Sequence, residues 1–203
     1  MSHAALNATE EEAIIQQALH DDINAFNRLV ETYERLAYSV AYRMLQNQEQ
    51  ATDAVQESFI KAFRALKTFR GGSFKSWLMR IVTNTCYDTL RARKRQNTDN
   101  LNDLAESDEH APYFIDRAES PGEYAERMEL NRLIDQAIAT LPEDQRIVIL
   151  LCDVHGYAYE EICEITGVPM GTVKSRISRA RGKLRDYLLA NPELLPSAFR
   201  PTA

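Results

Sequence analysis

Basic and small hydroxyl side chains alternate near the C-terminal end of the chain, in the stretch TVKSRISRAR. Ammonium and guanidinium groups neutralise nucleic-acid phosphates, and a guanidinium that donates two hydrogen bonds recognises the edge of guanine. Contact with DNA is therefore the chemistry that these residue types could perform. The candidate residues are Thr172, Lys174, Ser175, Arg176, Ser178, Arg179 and Arg181.

Two helical segments joined by a short break must position these side chains. The first is predicted over Tyr159 to Thr166, and Gly167 and Pro169 then interrupt it, since Gly tolerates left-handed backbone and Pro cannot continue a helix. The apolar residues of the second segment recur at steps of three and four: Val173, Ile177, Ala180, Leu184 and Leu188. Helix, tight turn and basic helix predict a helix-turn-helix, whose second helix enters a DNA major groove. The competing interpretation is a basic face that only meets solvent.

The charge of the whole chain has the wrong sign for a protein that holds DNA unaided, because non-specific affinity for DNA comes from cations. The net charge is −6 over 203 residues. A second basic cluster lies at Arg91 to Arg95, and acidic residues collect between the two basic regions: Asp99, Asp103, Glu106, Asp108, Glu109, Asp116, Glu119 and Glu123. We therefore expect weak binding to DNA alone and a larger partner that supplies most of the affinity.

The cysteines and histidines do not form a recognised metal motif. Cys86, Cys152 and Cys163 are odd in number and lie in apolar helical patterns, which is typical of a reducing cytoplasm. Cys152, His155 and Cys163 lack a known zinc spacing and a fourth ligand, so no cofactor is predicted. The N-terminal residues lack a basic-then-apolar signal pattern, and no apolar run approaches the roughly 18 residues of a membrane span.

The periodicity predicts an all-α protein with two small helical domains joined by a flexible acidic linker, the second domain containing the helix-turn-helix. The predicted boundaries are 1–95 for the first domain, 96–120 for the linker, 121–190 for the second domain and 191–203 for a loose tail.

Several helix starts and buried faces follow from the same patterns. Asp21 or Asp22 is expected to cap the second helix, and Thr52 or Asp53 the third. The third helix is expected to turn five apolar residues inward: Val55, Phe59, Ile60, Phe63 and Leu66. A fourth helix is predicted from near Ser73, a fifth from Ser120 and Pro121 with a capping box, and a sixth from Pro142 to Gly156.

Two long blocks of this sequence resemble bacterial RNA polymerase sigma factors of the compact extracytoplasmic-function group. The first contains DAVQESFIKAFRAL and FRGGSFKSWLMRIVTNTCYDTLRARKR, and the second runs from LPEDQRIVILLCDVHG through GTVKSRISRARGKLRD. The resemblance covers about Ala25 to Arg95 and Glu126 to Leu188. It implies a subunit that directs core polymerase to promoters and opens the DNA, in a stress or environmental response.

The resemblance also implies partners and the residues that meet them. The third helix would dock on the clamp helices of the beta-prime subunit through Asp53, Gln56 and Glu57, and the second domain would meet the beta flap. The linker would pass near the polymerase active-site cleft, and an anti-sigma protein would cover the polymerase-binding surfaces. None of these partners is identified by the sequence itself.

The resemblance assigns promoter contacts to both blocks, and in the second block it assigns the upstream element to Lys174, Ser175, Arg176, Ser178 and Arg179. Residues for the melted downstream element are Phe69, Arg70, Ser73, Phe74, Lys75, Trp77 and Asn84, with Arg91 and Arg95 on the backbone. An extruded base needs an apolar or stacking pocket and polar groups for its edge. Phe74 and Trp77 also have core spacing, so Asn84 and the loop are the favoured base contacts. One departure is Ala158, where relatives often carry a capping Ser or Thr; this makes the start of the helix at Tyr159 uncertain.

Two other functions compete with a sigma factor. A free-standing helix-turn-helix regulator would also carry the basic helix, but it has no need of the acidic net charge or of the second basic and aromatic region. A nuclease would need a metal or catalytic motif, and His3, His20, His110 and His155 are scattered without one. We therefore predict that the chain is not an enzyme.

Overall fold

The computed structural model describes residues 7–99 and 121–191, and all regular structure in these two ranges is helical. The predicted all-α fold is confirmed. The chain divides into an N-terminal and a C-terminal compact unit, and the main division falls within the predicted linker. Most of that acidic linker, the first six residues and the predicted loose tail beyond Asn191 lie outside the described residues.

Residues 7–99, the described part of the N-terminal unit, form four α-helices. These are α1 (Ala8–Leu19), α2 (Ile23–Leu45), α3 (Gln48–Ala65) and α4 (Phe74–Asp99), with a 3-10 turn at Leu66–Thr68. Helices α2, α3 and α4 pack against one another, and α1 packs on α2. Helix α4 continues past the basic cluster at Arg91 to Arg95, through four further residues to Asp99.

Side chains that accept hydrogen bonds from backbone N–H groups cap the N-termini of these helices. Asp22 Oδ1 accepts from Asn24 at 2.8 Å, so Asp22 is the cap predicted for α2, whereas Asp21 has a left-handed φ of 67°. The predicted cap of α3 was wrong. Asn47 caps that helix, with Oδ1 2.8 Å from the Gln50 nitrogen, and Thr52 and Asp53 lie inside the helix.

The loop before α4 depends on two glycines. Gly71 and Gly72 have φ angles of 91° and 87°, which L side chains rarely adopt. Ser73 then begins the predicted fourth helix, because its hydroxyl accepts the Ser76 N–H at 3.1 Å. The loop and the first turn of α4 are therefore locally determined.

The C-terminal unit contains α5 (Pro121–Ala139), α6 (Glu143–Ile149), a π-helical turn (Leu150–Val154), α7 (Tyr159–Thr166) and α8 (Met170–Ala190). Helix α5 begins at Pro121 as predicted, while Ser120 lies outside the described residues. The predicted sixth helix is present, but its last part widens into the π turn.

Helix α7 begins at Tyr159 although Ala158 has no side chain that could cap it. Glu161 Oε2 accepts the Ala158 N–H at 2.9 Å, which is the second half of a capping box. Gly167 then ends α7 with a left-handed φ of 71°. The doubt that Ala158 raised about this helix is thus removed by a residue three positions away.

The prediction that Ile60 and Phe63 face the core was wrong. Their exposures are 51% and 42%. The stripe of α3 that is buried consists largely of small residues: Ala51, Ala54, Val55, Ser58, Phe59 and Ala62. These small side chains allow α3 to lie close to its neighbours, which leaves Ile60 on the outer side of the helix.

Two of the cysteines should react slowly, because burial raises the pKa of the Cys86 thiol to about 12 and that of Cys152 to about 11. A thiolate is the reactive form, and both groups are almost entirely protonated near neutral pH. We expect a chromogenic disulfide reagent at pH 8 to leave Cys86 unmodified in the folded protein and to modify it after denaturation. Rapid reaction of all three thiols before unfolding would contradict the burial of Cys86.

Candidate nucleic-acid interface

Helix α8 is held in the C-terminal unit by one apolar face. Val173, Ile177 and Ala180 are buried, with exposures of 0 to 2%. Because they recur at steps of four and three, the opposite face of α8 must point to solvent. The centre of that face carries small residues, Gly171, Ser175, Ser178 and Gly182. A helix whose outer surface lacks bulky side chains can approach a nucleic-acid groove closely.

Cationic side chains lie along both edges of this outer face. Lys174, Ser178, Arg181 and Arg185 follow one edge at steps of four, three and four, and all four are exposed. Arg179 and Lys183 are exposed on the other edge. A helix in a major groove is flanked by two phosphate backbones, so cations on both edges are suitably placed for phosphate contact.

Two of the predicted DNA-binding arginines of α8 are bound by carboxylates of their own unit. Arg176 Nε lies 3.1 Å from Asp144 Oδ2, and Arg176 is half-buried. Arg181 donates from Nε and Nη2 to the two oxygens of Asp153, at 2.9 and 2.7 Å. These donated hydrogen bonds lower the pKa of the Asp153 carboxyl. Lys174 and Arg179, in contrast, have no ion-pair partner among the residues that the structure describes.

The two hydroxyl candidates at the start of α8 are less available. Thr172 and Ser175 are half-buried, and Ser175 Oγ donates to the Thr172 carbonyl at 3.0 Å. A hydroxyl that donates to its own helix keeps only acceptor capacity for a ligand. Of the predicted α8 contacts, Lys174, Ser178 and Arg179 are therefore exposed and have no ion-pair partner among the described residues.

Most of the aromatic candidates around α4 pack inside the N-terminal unit. Phe69 and Phe74 are 8% and 2% exposed, and their ring centroids lie 5.7 Å apart. The Trp77 ring is 5.4 Å from that of Phe74 and is half-exposed. Phe74 therefore packs in the core, as its spacing predicted, while Trp77 packs in the same cluster and remains partly exposed.

A line of polar and cationic side chains runs along the exposed face of α4. Trp77, Arg80, Asn84, Arg91 and Arg95 recur at helical steps, and all but half-exposed Trp77 are exposed. From Trp77 to Arg95 the line is about 27 Å long at the rise of an α-helix. Sequence reasoning did not predict Arg80, although its position three residues after Trp77 and four before Asn84 places it on the same helical face.

The remaining candidates of this region lie at the loop and along the same helix. Arg70 and Ser73 are exposed beside the paired glycines, and Lys75 is half-buried. Arg91 Nη1 lies 3.0 Å from Asp88 Oδ1, but both side chains are more than half exposed. Such an exposed pair contributes little to stability, so Arg91 can exchange its partner for a phosphate.

Helix α3 exposes acidic, amide and apolar side chains, in contrast to the cationic faces of α4 and α8. Asp53, Gln56 and Glu57 are exposed, as predicted, and Ile60 and Phe63 extend the same side of the helix with apolar area. Phe63 also packs edge-to-face on Phe26 at 5.0 Å. Polar and acidic groups around exposed apolar side chains are typical of a protein-docking surface and not of a nucleic-acid surface.

A helical fold that combines a helix-turn-helix with a second cationic helix surface is the arrangement found in sigma-70-type factors. Residues 29–96 match the sigma-70 region 2 family, and residues 131–184 match the sigma-70 region 4 family. The chain is 38% identical to the ECF RNA polymerase sigma-E factor of Haemophilus influenzae, over 88% of this chain and 95% of that protein. The chain therefore belongs to the family of extracytoplasmic-function RNA polymerase sigma factors.

Other relatives agree with this assignment. The RNA polymerase sigma-H factor of Pseudomonas aeruginosa is 36% identical over 87% of this chain and 92% of that protein. The ECF sigma factor SigE of Mycolicibacterium smegmatis is 37% identical over 81% of this chain, which spans 62% of that relative. The sigma factor RpoE of Bartonella quintana, solved with the anti-sigma factor NepR, has a TM-score of 0.67 and 27% identity, covering 83% of this chain and 99% of that chain.

Family membership decides between the functions that the sequence left open. The chain is a sigma factor for transcription initiation, and the comparisons do not favour a free-standing regulator. Within the described ranges, no three His, Cys, Asp or Glu side chains are grouped as metal ligands. No described helix is long and apolar enough to cross a membrane.

Proposed function

We propose that the chain docks on core RNA polymerase through α3 and then grips two separate promoter segments, one with α8 and one with α4. The observation that carries this proposal is that the cationic surfaces and the exposed apolar surface lie on different helices. Two helices expose cations, while α3 exposes Ile60 and Phe63 beside acidic and amide groups. The chain performs no reaction of its own in this scheme, and it acts in the cytoplasm.

The direct test is reconstitution. Purified chain should bind core polymerase, and only the assembled holoenzyme should bind promoter DNA specifically and support run-off transcription from fragmented genomic DNA. A chain that binds one operator tightly by itself and does not associate with core polymerase would exclude this function.

The proposed division of labour follows the boundaries predicted from sequence. Residues 1–95 would bind the polymerase and melt the downstream element, 121–190 would bind the upstream element and the beta flap, and the acidic stretch between them would pass near the active-site cleft. The matches to region 2 at 29–96 and region 4 at 131–184 support this division.

On α3, the proposed clamp-helix contacts are Asp53, Gln56 and Glu57, to which we add Ile60 and Phe63. Glu57 pairs with Lys61 at 2.9 Å, but their side chains are 58% and 41% exposed. Such a pair contributes little to stability, so Glu57 can exchange Lys61 for a partner on the polymerase. The exposed apolar pair would supply most of the affinity, because buried apolar anchors dominate protein interfaces.

An anti-sigma protein that covers the α3 surface is the proposed regulator. Structural neighbours support this partner: RpoE was solved with the anti-sigma factor NepR, and CnrH, with 25% identity and a TM-score of 0.66 over 89% of this chain and 98% of that chain, was solved with the cytosolic domain of CnrY. Occupying Ile60 and Phe63 would keep the chain from core polymerase and would also hide an exposed apolar surface.

For the upstream element, Arg179→Ala should weaken holoenzyme binding by about 1–3 kcal/mol, since Arg179 is an exposed guanidinium without an internal partner among the described residues. The measurement is competition binding of the variant holoenzyme to promoter duplexes that differ at single upstream base pairs. Lys183→Ala on the same edge is the control for loss of charge alone. Unchanged affinity and unchanged base preference would remove Arg179 from the interface.

For the downstream element, Asn84→Ala should leave the closed complex intact and slow strand opening by about three- to tenfold, the expected loss for one hydrogen bond. Asn84 is exposed on α4 and can bind the polar edge of an extruded base. Permanganate reactivity of melted thymines measures the opening rate. Opening at the wild-type rate would show that Asn84 has no part in base capture.

A further inference from the structure

A carboxylate lies against the cationic edge of α8, on the surface that we propose meets DNA phosphates. Asp153 belongs to the π-helical turn between α6 and α7, and its two oxygens accept from Arg181 Nε and Nη2 at 2.9 and 2.7 Å. A carboxylate this close to a DNA-binding surface repels phosphates. Asp153 can favour DNA binding only if it strengthens another contact by more than this repulsion.

The backbone around Asp153 is unusual in the same place. The His155 N–H donates to the Leu150 carbonyl at 3.0 Å, a step of five residues, so the helix is widened by one residue. This widening rotates the residues that follow it relative to a continuous α-helix. Single π turns of this kind are frequent at functional sites.

The pair leaves one side of the guanidinium available. Nε and Nη2 are engaged by Asp153, and Nη2 also lies 3.8 Å from Cys152 Sγ, whereas Nη1 has no partner among the described residues. Arg181 is 53% exposed and stands on the same edge of α8 as Lys174 and Ser178. A planar guanidinium fixed along one side presents its remaining N–H groups in a set direction.

We propose that Asp153 is a positioning residue that fixes Arg181 so that its Nη1 donates to a phosphate of the upstream promoter element. Asp153 thereby strengthens DNA binding despite its negative charge, because an immobilised arginine loses less conformational entropy when it binds. This inference rests on the proposed contact between α8 and the upstream element.

The test compares variants of the full chain assembled with core polymerase, on a promoter duplex recovered by run-off transcription from genomic DNA. Asp153→Asn removes a negative charge, so charge alone predicts tighter binding. Loss of positioning predicts the opposite sign, and we expect binding weaker by about three- to tenfold, as for coupled residues in one network. Asp186→Asn is the matched control, since Asp186 pairs with its neighbour Arg185 at 2.9 Å in a strongly exposed position.

The salt dependence of binding separates a DNA contact from a folding effect. Arg181→Ala should lower the slope of log affinity against log salt by about one phosphate contact. Asp153→Asn added to Arg181→Ala should produce no further loss. Arg181→Lys, which keeps the charge but cannot hold both carboxylate oxygens in the same way, should bind more weakly than wild type.

Three outcomes would overturn the inference. Asp153→Asn could bind as tightly as wild type or more tightly, Arg181→Ala could keep the full salt slope, or Asp153→Asn could lower the melting temperature without changing the affinity of the folded fraction. The last result would show that the ion pair between Asp153 and Arg181 stabilises the fold and does not contribute to DNA binding. If the wild-type holoenzyme neither bound nor transcribed any promoter, the proposed function itself would fail, and that result is distinct from the other three.

Discussion

Phe74→Ala should destabilise the N-terminal unit by about 3–5 kcal/mol, the usual cost of emptying a buried aromatic site. Phe74 is 2% exposed and packs on the rings of Tyr33, Phe69 and Trp77 at 5.4 to 5.8 Å. Because Trp77 is the only tryptophan and lies in this cluster, its fluorescence during urea denaturation reports the unfolding of this unit directly.

The conservative variant distinguishes packing from base contact. Phe74→Leu keeps most of the buried volume and should cost less than about 1.5 kcal/mol. If the ring only supports the loop, the Leu variant should open promoters at the wild-type rate. A Phe74→Ala protein with wild-type unfolding behaviour but no strand opening would instead assign the ring to base capture.

Ile60→Asp should weaken binding to core polymerase by about 2 kcal/mol or more, or roughly thirtyfold, because it places a charge in the centre of the proposed docking surface. Ile60 is 51% exposed, so the free energy of unfolding should change by no more than about 0.5 kcal/mol. Competition against wild-type chain for a limiting amount of core polymerase measures the effect.

Ile60→Val is the control for this variant, since it removes one methylene and keeps the apolar surface. It should compete nearly as well as wild type. If Ile60→Asp also competed at the wild-type level, the exposed apolar residues of α3 would have another role, and docking would depend on Asp53, Gln56 and Glu57 alone.

Local patterns predicted most of the helices and both cationic surfaces. The apolar spacing of α8 placed Val173 and Ile177 inward, and the cations between them were therefore predicted to be outward. Asp22 and Ser73 were recognised as helix starts because a cap acts on N–H groups only two or three residues away. Such interactions can be inferred from a window of a few residues.

The same local reasoning failed where several residues could serve equally well. Asn47, Thr52 and Asp53 are all acceptable caps, and α3, which packs against α2 and α4, begins after the first of the three. Likewise, α3 has an alanine-rich stripe and an Ile60–Phe63 stripe, both at helical spacing. Close helix packing buries the small residues, so the larger Ile60 and Phe63 side chains stay exposed and can contact a partner.

By itself the sequence determined the helical class, the helix-turn-helix and the cationic character of α4 and α8, because each depends on the order of neighbouring residues. Only the tertiary structure decided which of these cations are already engaged. Asp153 and Arg181 are 28 positions apart, and their pairing depends on the π turn and the packing of α6 with α8. Side-chain pairing over such separations is set by the folded backbone, since no local pattern specifies which carboxylate an arginine will meet.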